Sequence, residues 1–160
     1  MKQIASMTII VLMFLTACGQ QSGNGAKQKK YPVTKTETEW KKLLSPAAYQ
    51  IMVERGTETP YHNAYYNNHE KGIYVSAATG EPLFSSDDKY DSGTGWPSFT
   101  KPINSTAIEV VSDNSLGMSR DEIVEAKTGL HLGHVFDDGP KDKGGLRYCM
   151  NSGAFKFIKK

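Results

Sequence analysis

Arg147, Cys149 and Asn151 stand two residues apart in Arg147-Tyr148-Cys149-Met150-Asn151-Ser152, a run that alternates apolar with polar residues. Alternation of that period predicts a strand, and side chains two apart on a strand share a face. A thiol between a guanidinium and a carboxamide is placed to ionise, because a neighbouring cation lowers thiol pKa. Arg147 is therefore the expected stabiliser of a Cys149 thiolate. A lone cysteine on a strand is otherwise an inert small hydrophobe, so the rest of the chain must decide. His131 and His134 lie three apart in His131-Leu132-Gly133-His134-Val135-Phe136. Such a pair can ligate metal, hydrogen-bond a polar substrate atom, exchange protons near neutral pH, or serve packing alone. Only His62 and His69 remain to complete a metal site. Trp96 sits in Asp91-Ser92-Gly93-Thr94-Gly95-Trp96-Pro97, where two glycines and a proline demand a tight loop. Its ring is either a buried plug or the wall of a pocket.

The elements that must carry these groups are short. Thr36-Glu37-Thr38-Glu39 has capping-box spacing and opens a helix through Trp40, Leu43 and Leu44. Ser45-Pro46 starts a second helix carrying Tyr49, Met52 and Val53 to a stop at Gly56. Trp40 and Tyr49 are expected in the core. Beyond Gly56, short apolar pieces alternate with Gly, Pro, Asn and Asp clusters, the signature of antiparallel strands. The expected class is α+β, two short N-terminal helices followed by a mainly antiparallel β domain.

The chain has 160 residues, a formal net charge of +2 and 38% hydrophobic residues, enough for one domain with its own core and without a nucleic-acid footprint. Lys2 followed by the apolar run Ile9 to Leu15 is too short to span a bilayer and reads as an export leader over residues 1–17. Leu15-Thr16-Ala17-Cys18 resembles the bacterial lipobox, which makes Cys18 the expected site of lipidation. Residues 18–31 are polar and Gly-rich and are expected to be a flexible tether, with a folded domain over 32–160. The expected location is extracytoplasmic, on a lipid anchor in a bacterial membrane. Cys149 is then a single free thiol in an exported protein, which points to reactivity or to accident.

Six motifs follow one another in order: Gly72 to Val75, Gly80 to Ser86, Lys89 to Phe99, His131 to Phe136, Asp138 to Pro140 and Gly145 to Ser152. Together they closely resemble the B-type peptide-methionine sulfoxide reductases over about residues 36–158. The resemblance implies that Cys149 is the nucleophile that attacks the sulfoxide sulfur and is left as a sulfenic acid. It implies that His131, His134 and Asn151 hold and polarise the sulfoxide oxygen. Trp96 and Phe136 would bind substrate, with Trp96 receiving the S-methyl group, and the R epimer would be the one reduced. Many members hold a structural zinc on two Cys-x-x-Cys pairs; the matching positions here are Ser76, Thr79, Glu125 and Thr128, so no metal is expected, and no other cofactor. The usual resolving cysteine is replaced by Thr94, so an external, thioredoxin-like thiol is expected to recycle the enzyme. The expected partners are oxidised proteins or peptides, that reductant and, through Cys18, a membrane; the domain is expected to be monomeric. Two other classes fit parts of the pattern: a lipoprotein that binds oxidised peptides or a redox partner without turnover, and a histidine metal-binding module.

Overall fold

The computed structural model of the chain describes residues 29–160; the expected leader, Cys18 and most of the tether lie outside the described residues. Both helix starts form as their sequences require. Thr36 caps α1 (Glu37–Leu43) with a complete capping box, its amide donating to Glu39 Oε2 at 2.7 Å. Ser45 caps α2 (Pro46–Met52) by accepting from the Ala48 amide at 3.2 Å, with Pro46 at the first helical position. The second helix ends at Met52, short of Gly56, whose amide folds back to the Gln50 carbonyl at 2.9 Å. Trp40 is buried and Tyr49 packs half-buried against the same core.

Nine strands follow among the described residues: β1 (Gly72–Ser76), β2 (Pro82–Ser85), β3 (Lys89–Tyr90), β4 (Ser98–Phe99), β5 (Ile108–Asp113), β6 (Arg120–Glu125), β7 (His131–Phe136), β8 (Arg147–Met150) and β9 (Phe155–Lys159). They make a three-stranded sheet in the order β2-β1-β9 and a six-stranded sheet in the order β3-β4-β8-β7-β6-β5. Every pairing is antiparallel. Aromatic rings fill the space between the sheets: Phe84 stacks on Phe99 with centroids 4.6 Å apart, and Tyr74 and Phe155 close edge-on around them. Such contacts add about 0.5–1.5 kcal/mol each beyond the area they bury.

Two features of the larger sheet set up what lies on its surface. Tyr90, Ser98, Cys149, His134 and Glu122 stand directly opposite one another across β3, β4, β8, β7 and β6. Directly opposed residues project from the same face, so this row crosses five strands on one side. The second feature is a bulge in β7. Gly133 pairs with Ile123 but His131 pairs with Val124, which leaves Leu132 as an extra residue. Residues three apart on a regular strand face opposite ways; one extra residue restores the alignment. Leu132 is fully buried in the core, and the His131 and His134 rings meet edge to face with centroids 5.3 Å apart. Gly133 permits the close approach of β7 to β8, since a Cβ there would lie 2.3 Å from the Cys149 carbonyl oxygen.

The four positions that correspond to zinc cysteines do not fit zinc. Glu125 and Ser76 are fully buried. The Thr79 hydroxyl donates to one Glu125 oxygen, and the Thr128 hydroxyl to the other at 2.6 Å. Ser76 Oγ accepts from the Ala78 and Thr79 amides at 3.2 and 3.3 Å. One carboxylate and three hydroxyls already satisfy one another and the loop backbone, and they offer no thiolate or imidazole. The two loops are thus tied by hydrogen bonds to a buried carboxylate. Glu125→Ala strands two inward hydroxyls, and urea unfolding should show a loss of about 1–3 kcal/mol with an unchanged slope.

Candidate active site

Cys149 sits in the middle of the row across the sheet, half-buried at the base of an open cleft of about 140 Å³. The cleft is walled by Trp96, His134, Phe136, Asn151 and Arg120. Trp96 is a wall and not a plug: it lines the cleft, and its Nε1–H donates to the Glu58 carbonyl at 3.0 Å. The loop that carries it is fastened by Asn63, which donates to the Gly95 carbonyl at 2.7 Å.

Arg147 lies on the Cys149 side of β8, as alternation requires, but its charge is shared. Its Nε and Nη2 each donate to Asp138 at 2.8 Å, and its guanidinium lies 4.4 Å from the centroid of Phe136, the residue opposite it on β7. The expected lowering of the thiol pKa is therefore corrected. Burial pushes the Cys149 thiol up, and this outweighs the lowering by Arg147 and by hydrogen bonds from Thr94, Arg147 and Ser98. Desolvation wins because a thiolate loses its hydration while the nearest cation is already paired. A thiol raised in this way favours its protonated form near neutral pH.

The histidines divide between two depths. His134 lines the cleft; His131 lies behind it, with only 3% of its side chain exposed. His131 Nδ1 is 2.6 Å from Glu122, whose other oxygen pairs with Arg55. On its far side, Nε2 stands 3.4 Å from Asn151 Nδ2. Asn151 follows the last residue of β8 and is held from three directions. Its amide N and Nδ2 donate to the Leu132 carbonyl at 3.0 and 3.3 Å, and its Oδ1 accepts from the Glu58 amide at 3.3 Å. Burial lowers the His134 pKa, against a raising hydrogen bond to Asp113, so His134 is neutral near pH 7. An uncharged imidazole beside a protonated thiol can exchange one proton with it, and the apolar Trp96 and Phe136 faces suit a methyl-bearing group.

The residues of the chain match the SelR domain model over residues 44–159. The chain belongs to the SelR domain family. The match spans α2 and every strand, so this SelR domain carries the whole cleft. The chain is also 51% identical over 129 residues to the peptide methionine sulfoxide reductase MsrB of Leptospira interrogans serogroup Icterohaemorrhagiae serovar Lai, covering 81% of this chain and 98% of that one.

The sequence gives no role to Glu58, Asp113, Arg120 or Glu122, and none to Ser98 and Asp138 although both lie in the motifs. Glu58 binds the cleft at four points: its carbonyl anchors Trp96, its amide holds Asn151, and its carboxylate accepts from the Ser152 and Gly153 amides at 2.6 and 2.7 Å. Glu122 carried a weak signal, being a charge inside the apolar stretch Glu122-Ile123-Val124. Asp113 and Arg120 carry no local signal, and only the fold brings them to the cleft.

The shared charge of Arg147 leads to opposite effects of substitutions at Arg147 and at Asp138. Arg147→Leu should move the pH profile of Cys149 alkylation by iodoacetamide to higher pH. Asp138→Asn leaves the guanidinium uncompensated and should move it lower, each by about one pH unit, as read by mass spectrometry of the Cys149 peptide.

Proposed function

We propose that this SelR domain reduces methionine-R-sulfoxide in proteins or peptides to methionine, with Cys149 as the atom that takes the oxygen. The observation that carries the reading is Cys149 at the base of the cleft, directly opposite His134 and walled by Trp96, in a chain of this family. The methyl group on sulfur rests against Trp96 and Phe136, whose ring faces suit a methyl on electron-poor sulfur. Cys149 sulfur attacks the sulfoxide sulfur, the oxygen passes to the cysteine, and methionine departs. The cysteine loses two electrons to become a sulfenic acid, and the substrate sulfur gains them. The thiol gives up one proton and the transferred oxygen needs one, so His134, beside both, carries it. The Nδ2 hydrogens of Asn151 face the Leu132 carbonyl and His131 Nε2, so Asn151 acts on the oxygen by way of water and by shaping the cleft, and His131, braced by Glu122, keeps it in place.

The sulfenic acid is returned to the thiol by an external, thioredoxin-like thiol, since Cys18 is the chain's other cysteine. Cys18 carries the lipid that anchors the mature protein on the outer side of a bacterial cytoplasmic membrane or in a further membrane beyond it, and the domain acts there as a monomer on exported proteins. This part of the reading rests on the leader and on Leu15-Thr16-Ala17-Cys18.

Cys149→Ser should abolish multiple turnover of an R-sulfoxide peptide with dithiothreitol, while wild type leaves the S epimer untouched; chromatography of the resolved epimers reads both. Cys18→Ala should release the protein from the detergent-rich phase and the membrane pellet without changing the turnover of the domain.

A further inference from the structure

Asp113 ends β5 and stands directly opposite Arg120, the first residue of β6. Its Oδ2 accepts from Arg120 Nη2 at 2.6 Å and lies 2.9 Å from His134 Nε2, while Oδ1 accepts from the Ser115 amide at 2.9 Å. The side chains of Asp113 and His134 are 11% and 13% exposed, so solvent competes weakly for the pair. Hydrogen bonds from Ser115 and His134, with that from Arg120, hold the Asp113 carboxyl well below the usual carboxylate range. An ionised carboxylate only accepts. His134 Nε2 therefore bears a hydrogen in both charge states of the ring, and Nδ1 is left as the one nitrogen able to gain or lose a proton.

We propose that Asp113, clamped by Arg120, is a positioning residue that fixes the ring and tautomer of His134, so that Nδ1 alone carries the proton between Cys149 and the sulfoxide oxygen. The inference rests on the reductase reading above. The Cys149 S–H bond breaks and its proton goes to His134 Nδ1; the sulfur–oxygen bond to Cys149 forms as that of the substrate breaks; Nδ1 then returns the proton to the oxygen. The ionised Asp113 stabilises the imidazolium in between. The other charged groups around His134 are paired: Arg120 to Asp113, Glu122 to His131 and Arg55, and Arg147 to Asp138, with Cys149 directly opposite His134 across β7 and β8.

The reactive form holds one proton between Cys149 and His134. A second proton on the pair makes the acid limb of the rate profile, and Asp113 sets where that limb lies. Asp113→Asn keeps an acceptor but removes the charge. The expected result on an R-sulfoxide peptide is a fall in kcat of about 10–100-fold with KM held within about twofold, and an acid limb displaced to lower pH. Asp113→Glu should recover part of the kcat and return the limb. In parallel, nitrogen-15 NMR of the imidazoles should show His134 protonated at Nε2 in wild type and a mixture of tautomers in Asp113→Asn. A loss of kcat with an unmoved limb, an unchanged kcat, or a wild-type His134 protonated at Nδ1 would each overturn the proposal; thermal melting separates unfolding from these outcomes. The NMR readout needs no substrate, so a failure of the reductase reading leaves the Asp113–His134 assignment standing or falling by itself.

Discussion

The Leu132 bulge in β7 is the constraint on which the cleft depends. It turns His131 onto the face of His134 and Cys149, and it leaves the Leu132 carbonyl free to receive both the amide and the Nδ2 of Asn151. One irregular residue thus aligns the imidazoles and seats the carboxamide. The buried Leu132 side chain holds the bulge in register, because a slip of one residue would drive it to the surface and the histidines into the core. Gly133 lets the neighbouring strand come close enough for Cys149 to face His134.

Around this point, charge is contained in pairs. Arg147 meets Asp138, Arg120 meets Asp113 and Arg55 meets Glu122. In each pair the less accessible member, Arg147, Asp113 or Glu122, is compensated by a more exposed partner. Pairing also weakens the field that any one guanidinium exerts on Cys149, and burial then decides the state of the thiol. A raised thiol pKa lowers the fraction of thiolate, the form that is open to oxidation. The His134 imidazole, its pKa lowered by burial, lines the same cleft.

The helix caps, the alternation around Cys149, the glycine-bounded Trp96 loop and the α+β class were all legible, because each rests on local rules of backbone geometry and periodicity. Residues that act through long-range pairing were not. Asp113 and Glu58 carry no local signal, and only the β5–β6 pairing and the approach of the residue 57–58 segment to the end of β8 give them partners. Thr79, Glu125 and Thr128 showed in advance that zinc ligands are missing, but not that Glu125 would take both hydroxyls.

By itself, the order of residues determined which chemical groups exist and which share a strand: a thiol two positions from a guanidinium, two imidazoles three apart, an indole on a rigid loop. Local dihedral preferences and side-chain alternation suffice for that. Only the tertiary structure decided that the imidazoles face one way, that Arg147 is bound to Asp138 and that burial raises the thiol pKa. Those outcomes depend on a bulge, on partners drawn from distant strands and on the loss of water, none of which a local pattern encodes.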